Sequence, residues 1–265
     1  MNVLVVGAGS IGARRARIIR ALGHNVLVSD SDEARACALA AEVDGVVREP
    51  NVDADLALVC TPPATHAAVV NSLELGSLAG LYVEKPLALN LDDVNDIEEL
   101  AKLVPVTMGA CNLRFMTPCP PPIAKNGKGV RWTATMGQHA KHWSPEHQPV
   151  SMILDSIHDL DLLQWYAGPI RQIVGLSRLD MADAATEHVG GGHGRIRLDR
   201  TTDPPVRTLT AHRADFDWSC DLWPPDPEMY DREMHYLLDR TLNETTAMNP
   251  LSEAAAVCRW ALEVA

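Results

Sequence analysis

The residues best suited to chemistry in this sequence are a lysine, Lys85, and an aspartate–histidine pair, Asp155 and His158. Lys85 follows an apolar run that predicts a buried strand, and it precedes a proline. Asp155 and His158 are three residues apart, so they share a face of the predicted helix. A histidine titrates near neutral pH, and a partly buried lysine has a lowered pKa, so these types can act as acid and base. A solvated loop lysine and a packing histidine are the alternatives.

A second group of residues is suited to binding phosphates. Gly7, Gly9 and Gly12 follow an apolar run and precede a helical pattern. In such a strand–turn–helix unit the glycines permit a tight turn, a close approach of the backbone to a pyrophosphate, and close packing of the helix. The helix N-terminus adds free N–H groups and partial positive charge. Asp30 ends the next predicted strand, about 20 residues on, where a carboxylate can bind the ribose of NAD.

The predicted elements bring these residues to one edge of a sheet. Strands alternate with helices as far as residue 108, which predicts an α/β fold with a doubly wound parallel sheet, the Rossmann arrangement. Ligands bind such sheets at the carboxyl ends of the strands. Gly7, Asp30, Thr61 and Lys85 all follow predicted strands.

The pattern changes near residue 116, where the proline-rich segment 118–122 predicts a domain boundary. We therefore expect an NAD(P)-binding domain over 1–116 and a domain for substrate and oligomer contacts over 117–265. The second domain is predicted to be α+β with a mainly antiparallel sheet. Its predicted strands are 130–136, 170–179, 194–198 and 206–212, and its predicted helices are 152–166, 226–242 and 251–265.

Composition excludes several classes of partner. The net charge of −12 argues against binding to nucleic acid or to an anionic membrane surface. No apolar run approaches the ~20 residues of a membrane span. The first strand starts at residue 3, so we expect no signal peptide before it. The six cysteines form no CxxC pair, which favours reduced thiols in a cytoplasmic protein.

A loop that carries His139, His142 and His147 could ligate a metal, but its spacing matches no zinc pattern. We expect a solvated or substrate-facing loop and no metal site.

Five segments of the sequence stand out as motifs, in this order: GAGSIGARRARIIRALG, CTPPATHAAVV, VEKPLALN, ILDSIHDLDLLQWYAG, and EMHYLLDRTLN followed by LSEAAAVCRWALEVA. Together they resemble the glucose-fructose oxidoreductase and inositol dehydrogenase family, Gfo/Idh/MocA. In the same order, they are similar to its cofactor loop and first helix, its second cofactor segment, its Glu-Lys-Pro motif, its active-site helix and its C-terminal pair.

The resemblance implies roles for individual residues. It implies that Lys85 and His158 are catalytic together with Asp155, and that Arg114 contacts substrate along with Lys85 and His158. It also implies a set of cofactor contacts: Gly7, Gly9, Ser10, Ile11, Gly12, Asp30, Cys60, Thr61, Pro62, His66, Glu84 and Lys85.

Some features depart from the family. A subgroup shares the three-residue Asp–His spacing and the segment 112–115, and it is associated with nucleotide-sugar and surface-polysaccharide chemistry. That subgroup continues with His-Pro where this chain has Met116 and Thr117. The second domain is shorter than in most relatives, and the glycine run that commonly precedes the active-site helix is absent.

These observations predict an NAD-dependent oxidoreductase that transfers hydride to or from a hydroxyl or carbonyl carbon of a sugar, cyclitol or nucleotide sugar. NADP is disfavoured because its 2′-phosphate would meet the carboxylate of Asp30. The expected partner is a small-molecule substrate, and a homo-oligomer is compatible with the resemblance. The alternatives are an NAD-dependent lyase or hydrolase with transient redox chemistry, and a non-catalytic NAD(H) sensor.

Overall fold

The computed structural model describes residues 1–116, 129–139 and 150–265. These residues form two compact units. The first unit comprises residues 1–111 and 230–256, and the second comprises residues 112–229 and 257–265. The proline-rich segment 118–122 and the residues His142 and His147 lie outside the described residues.

The first unit is a parallel sheet flanked by helices. Its strands are β1 (Asn2–Val6), β2 (Asn25–Ser29), β3 (Val46–Val47), β4 (Leu56–Val59), β5 (Gly80–Val83) and β6 (Val106–Gly109). Its helices are α1 (Ser10–Ala21), α2 (Glu33–Glu42), α3 (His66–Ser72), α4 (Leu91–Ala101) and most of α7 (Met229–Leu242). The spatial order of the strands is β3-β2-β1-β4-β5-β6, and every pairing is parallel. The Rossmann prediction is confirmed.

The sequence explains where these elements begin and what they bury. The central strands β4 and β5 are buried along their whole length, as expected when helices cover both faces of a parallel sheet. Asp32 caps α2 by accepting the N–H groups of Ala34 and Arg35. Asn90 caps α4 by accepting the N–H of Asp93.

The strand register aligns the chemistry-bearing residues. Val6 of β1 pairs with Ser29 of β2 and with Val59 of β4, and Val59 pairs with Val83 of β5. These four residues each end a strand. The residues that follow them therefore come to one level at the carboxyl edge of the sheet: Gly7, Asp30, Cys60 and Glu84. The strand order reverses between β1 and β4, which is where sheets of this kind bind ligands.

The second unit is built on a six-stranded mixed sheet. Its strands are β7 (Arg131–Gly137), β8 (Ile170–Ser177), β9 (Met181–His188), β10 (His193–Asp199), β11 (Val206–Arg213) and β12 (Phe216–Asp221). Their order is β12-β11-β7-β10-β9-β8, and within this sheet, as far as the structure describes it, only the pairing of β7 with β10 is parallel. The helices α5 (Met152–Asp155) and α6 (Ile157–Ala167) belong to this unit, and α8 (Leu251–Val264) contributes residues to both units. The predicted α+β class is confirmed.

Three details of the second unit differ from the sequence analysis. The predicted helix over 152–166 is interrupted at Ser156, whose φ of −107° and ψ of 33° leave the helical region. Asp155 therefore ends α5, whereas His158 lies in α6. The strands β9 and β12 were not predicted. In β9 two of the four buried positions are small alanines and Thr186 is the one β-branched residue, so its strand pattern is weak.

The segment 230–256 packs with the first unit, although the sequence analysis assigns it to the second domain. The carboxylate of Glu233 accepts the N–H of Cys111 at 2.8 Å, and the side-chain amide of Asn249 donates to the carbonyl of Gly109 at 3.1 Å. These polar contacts join residues more than a hundred positions apart, which local periodicity does not reveal.

No helix in the described part of the chain is long and apolar enough to cross a membrane. No disulfide joins any two of the five cysteines that the structure describes, which are Cys37, Cys60, Cys111, Cys220 and Cys258.

Candidate active site

The glycine turn after β1 is shaped by three different constraints. Gly7 has a φ of +102°, and its N–H donates to the carbonyl of Ser29 at 2.7 Å. A Cβ atom on Gly12 would lie 1.8 Å from the carbonyl oxygen of Gly7, so α1 packs directly against the turn. A Cβ on Gly9 would meet nothing within 4 Å. The open side of the turn at Gly9 and the start of α1 at Ser10, with Ile11 half-buried behind it, fit an incoming pyrophosphate.

Asp30 lies beside this turn. Its carboxylate accepts the N–H of Ala8 at 2.7 Å and the N–H of Asp32 at 2.8 Å. The guanidinium of Arg35 lies 3.2 Å from the carboxylates of both Asp30 and Asp32. The ribose-binding position predicted from the sequence is therefore acidic, with one arginine already paired there.

The segment after β4 carries Cys60, Thr61 and Pro62. Burial, together with the charge of Glu84, raises the pKa of the Cys60 thiol, so this cysteine stays protonated. The hydroxyl of Thr65 donates to the carbonyl of Pro62 at 2.7 Å and lies 2.9 Å from the hydroxyl of Thr61. This bonding holds the turn in one conformation.

The ring of His66 contacts the main chain on both sides, and its predicted contact with the cofactor stays a prediction. Its side chain is fully buried at the start of α3. Its Nε2 lies 2.8 Å from the carbonyl oxygen of Thr61, and its Nδ1 lies 3.0 Å from that of Leu87. Both ring nitrogens are thus engaged by the main chain. Burial lowers the pKa of His66, although the carbonyl groups and Glu84 oppose the shift.

Glu84 belongs to a buried group that we call the Arg15 cluster: Arg15, Tyr82, Glu84, Tyr230 and Glu233. Arg15 donates to Oε1 of Glu84 through Nε at 3.1 Å and through Nη2 at 2.8 Å. Its Nη1 lies 2.7 Å from Oε2 of Glu233, and its Nη2 also donates to the hydroxyl of Tyr82. The ring of Tyr230 lies 5.0 Å from the guanidinium carbon.

The two carboxylates of the Arg15 cluster differ in their electrostatics. Burial disfavours the charged form of Glu84, but Arg15 and Lys85 outweigh it and lower the pKa of this carboxyl. Burial, aided by the charge of Glu84, raises the pKa of Glu233 despite the attraction of Arg15. Burial also acts against the charge of Arg15, but the two carboxylates and Tyr82 raise its pKa. The surroundings therefore favour the charged form of Glu84 more than that of Glu233.

Lys85 is half-buried, and its main-chain N–H is in contact with the neighbouring Glu84 side chain. Its N–H lies 3.3 Å from Oε2 of Glu84, and the peptide bond between Lys85 and Pro86 is cis. The Arg15 cluster therefore sets the position of the Lys85 backbone through Glu84.

In the second unit, acidic residues of α5 and α6 are each paired with an arginine from another element. Asp155 accepts a bond from Arg200, and Asp159 lies 3.3 Å from Arg207. His158 is 9% exposed and lies between Asp155 and Asp159 in the sequence. Asp155 contacts Arg200, and its predicted role in orienting His158 stays a prediction.

Arg114 is buried, which bears on its predicted contact with substrate. Its Nε and Nη2 lie 2.8 Å and 2.5 Å from the carboxylate of Asp161, and its guanidinium stacks at 4.4 Å over the ring of Trp165. A substrate that contacts Arg114 would have to share this ion pair. The prediction remains untested.

The structure thus brings Gly7, Asp30, Cys60 and Glu84, which are among the predicted cofactor residues, to one edge of the sheet. No group of three or more His, Cys, Asp or Glu residues suited to a metal occurs in the ranges that the structure describes. His139 is described, whereas the other two histidines of the predicted loop are not.

Sequence reasoning missed the roles of Arg15 and Glu233. A signal was available, since Arg15 lies four residues after Ile11 and three before Ile18, on the apolar face of its helix. Glu233 lies four residues before Leu237, on the buried face of α7. A charged residue on an apolar face predicts a buried partner.

Comparison with known proteins shows that the first unit is similar to NAD-binding oxidoreductases. Residues 1–109 match the model of a family described as an oxidoreductase family with an NAD-binding Rossmann fold, GFO_IDH_MocA. The chain is 29% identical over 234 residues to the myo-inositol dehydrogenase Hyg17 of Streptomyces leeuwenhoekii, covering 80% of this chain and 70% of that protein.

Solved structures share the fold, among them the following two. UDP-N-acetylglucosamine 3-dehydrogenase GnnA from Acidithiobacillus ferrooxidans superposes with a TM-score of 0.83 at 20% identity, covering 100% of this chain and 96% of that chain. GenD2 from gentamicin A biosynthesis, solved in complex with NAD, superposes with a TM-score of 0.82 at 18% identity, covering 100% and 93%. At this identity the likeness establishes the fold alone.

The two glycines that follow Gly7 should respond differently to alanine. Gly12→Ala forces a Cβ against the carbonyl of Gly7, and such overpacking costs about 1–3 kcal/mol. Gly9→Ala places its Cβ in open space and should cost no more than about 1 kcal/mol as a helix cap. We expect Gly12→Ala to lower Tm, and Gly9→Ala to weaken NAD binding while Tm stays close to the wild type. Thermal melts and NADH fluorescence titration test this, and equal binding by Gly9→Ala and wild type would contradict the pyrophosphate position.

Arg15→Met should be strongly destabilising, because it leaves two buried carboxylates without their shared cation. Breaking a buried ion pair from one side costs about 3–5 kcal/mol. The matched control is Arg14→Met, which removes an exposed guanidinium stacked 4.4 Å over the Tyr230 ring and should cost at most about 1 kcal/mol. Urea unfolding of both variants measures the difference. Similar losses for the two would refute the role given to the cluster.

Proposed function

We propose that this chain is a member of the Gfo/Idh/MocA oxidoreductase family and an NAD-dependent dehydrogenase that acts on a CH–OH carbon of a cyclitol, sugar or nucleotide sugar. The observation that carries the proposal is the alignment of four strand ends, which places the glycine turn, Asp30, Cys60 and Glu84–Lys85 along one edge. The named relatives include a dehydrogenase of myo-inositol and one of UDP-N-acetylglucosamine, which supports a polyhydroxylated ring as the substrate class.

The residues of the first unit fit a dinucleotide. The open face at Gly9 would receive the pyrophosphate, and the N-terminal N–H groups of α1 would bind its oxygens. Asp30 would accept hydrogen bonds from the ribose hydroxyls, and the Thr61–Pro62 turn with Lys85 would border the reactive end. When bound, NAD accepts or supplies the hydride of the reaction.

The surroundings of Asp30 support NAD over NADP. A 2′-phosphate at this position would meet the carboxylates of Asp30 and Asp32. Arg35 is the nearest guanidinium, and both of those carboxylates already pair with it at 3.2 Å. Binding the phosphate to Arg35 would require these ion pairs to break and two negative charges to remain close to the ligand.

His158 and Lys85 are our candidates for the proton transfer. Oxidation of an alcohol needs a base within hydrogen-bond reach of the hydroxyl. We assign that role to the imidazole of His158, with the ammonium of Lys85 positioning the substrate oxygen and sharing the proton. The reverse assignment, with Lys85 as the base, is the alternative. Asp155 is assigned the support of His158 in its charged form.

Asp30→Ser should reduce the preference for NAD. The variant loses the acceptor for the ribose hydroxyls and one of the two charges that repel a 2′-phosphate. We therefore expect weaker NAD binding and a smaller ratio between the NADP and NAD dissociation constants. Fluorescence titration with both reduced cofactors measures the ratio. Tighter binding of NADPH than NADH by the wild type would refute the cofactor assignment.

Lys85→Ala and His158→Ala should each lower kcat by about 10²–10⁴-fold, the usual contribution of a positioned acid or base. NAD affinity should change little in His158→Ala. Asp155→Asn should cost less and should move the pH optimum. NADH formation from a panel of cyclitols and nucleotide sugars supplies the assay, with cofactor titration of each variant as the control. Near-full turnover in both alanine variants would overturn the assignment and would favour a sensor.

A further inference from the structure

His66 joins two turns of the first unit. Its fully buried ring lies between the carbonyl oxygen of Thr61, which belongs to the turn after β4, and that of Leu87, two residues beyond Lys85. The two distances are 2.8 Å to Thr61 and 3.0 Å to Leu87. The ring thereby connects two residues that are 26 positions apart in the sequence. No strand pairing reaches these residues, because β4 and β5 pair only as far as Val59 and Val83.

We propose that His66 is a positioning residue, which fixes the Lys85–Leu87 turn against the Thr61–Pro62 turn so that both border one cofactor. The inference rests on the NAD site proposed above. It differs from the contact predicted from the sequence, in which His66 itself touches the cofactor. Because both ring nitrogens face main-chain oxygens, neither is left for a ligand.

The chemistry of the ring limits which side chains can replace it. A neutral imidazole carries one N–H, so in each tautomer one carbonyl accepts a hydrogen bond and the other lies against the second nitrogen. An asparagine amide can place its nitrogen near the position of Nδ1, towards Leu87. A glutamine amide can place its nitrogen near the position of Nε2, towards Thr61. These two substitutions therefore retain one contact each, and alanine retains neither.

The second unit offers a matched control in His188. This histidine is also buried, its Nδ1 lies 2.6 Å from the carbonyl oxygen of Gly168, and its Nε2 lies 2.9 Å from the hydroxyl of Thr186. Burial lowers the pKa of His188, as it does for His66. His188 has the same kind of contacts, but it joins no segment that carries a predicted cofactor residue.

The experiment compares NADH fluorescence titration and thermal melting in the full-length variants His66→Ala, His66→Asn, His66→Gln and His188→Ala. We expect His66→Ala to bind NADH about tenfold more weakly, the equivalent of losing one hydrogen bond's free energy in positioning. At least one of the two amide variants should recover most of that affinity. His188→Ala should lower Tm and leave NADH affinity unchanged.

Different failures point to different errors. If the wild type does not bind NADH, the proposed function fails whatever the variants do. If the wild type binds and His66→Ala binds equally well despite a lower Tm, His66 only packs the core and the positioning role is wrong. If none of the His66 variants folds while His188→Ala does, the ring supports the core rather than the two turns, and the proposal is likewise overturned.

Discussion

One buried cation, Arg15, connects three elements of the first unit: α1, the end of β5 and α7. Its guanidinium bonds to Glu84 at the end of β5 and lies 2.7 Å from Glu233 of α7. A buried charge is tolerated only where opposite charges and hydrogen bonds surround it, so each element must hold its position for the others to be stable. The helix that follows the glycine turn, the strand that precedes Lys85 and the returning C-terminal segment are thereby fixed to one another.

This constraint reaches the chemistry through the backbone of Lys85. Glu84 lies against the Lys85 N–H, and on the other side of the lysine the carbonyl of Leu87 contacts His66. The turn that carries the lysine is therefore held from both ends by buried polar groups. The second unit uses a related arrangement, since Asp155, Asp159 and Asp161 pair with Arg200, Arg207 and Arg114. In both units, buried ion pairs involve residues that are close in the sequence to the proposed acid–base groups Lys85 and His158.

The sequence predicted the first unit well because its information is local. Alternating apolar strands and helices, the glycine spacing and the position of Asp30 all act within a few tens of residues. The predictions were less complete where the cause is non-local or the pattern is weak. Strand β9 relies on alanines that become buried only beside their neighbours, the break at Ser156 has no glycine or proline to mark it, and the bridging contacts of His66 depend on two distant carbonyl groups.

Helix α7 belongs mostly to the first unit but follows the second unit in the sequence, which affects folding during synthesis. Glu233 is 122 positions beyond Cys111, whose N–H it accepts. The six strands of the parallel sheet thus leave the exit tunnel well before the acidic side chain that completes the Arg15 cluster is translated. Domains generally fold as units and in order of synthesis, but the first unit can complete the Arg15 cluster only after this helix has been made. During that interval the incomplete unit exposes surface that is open to aggregation and proteolysis, as a consequence of the chain topology.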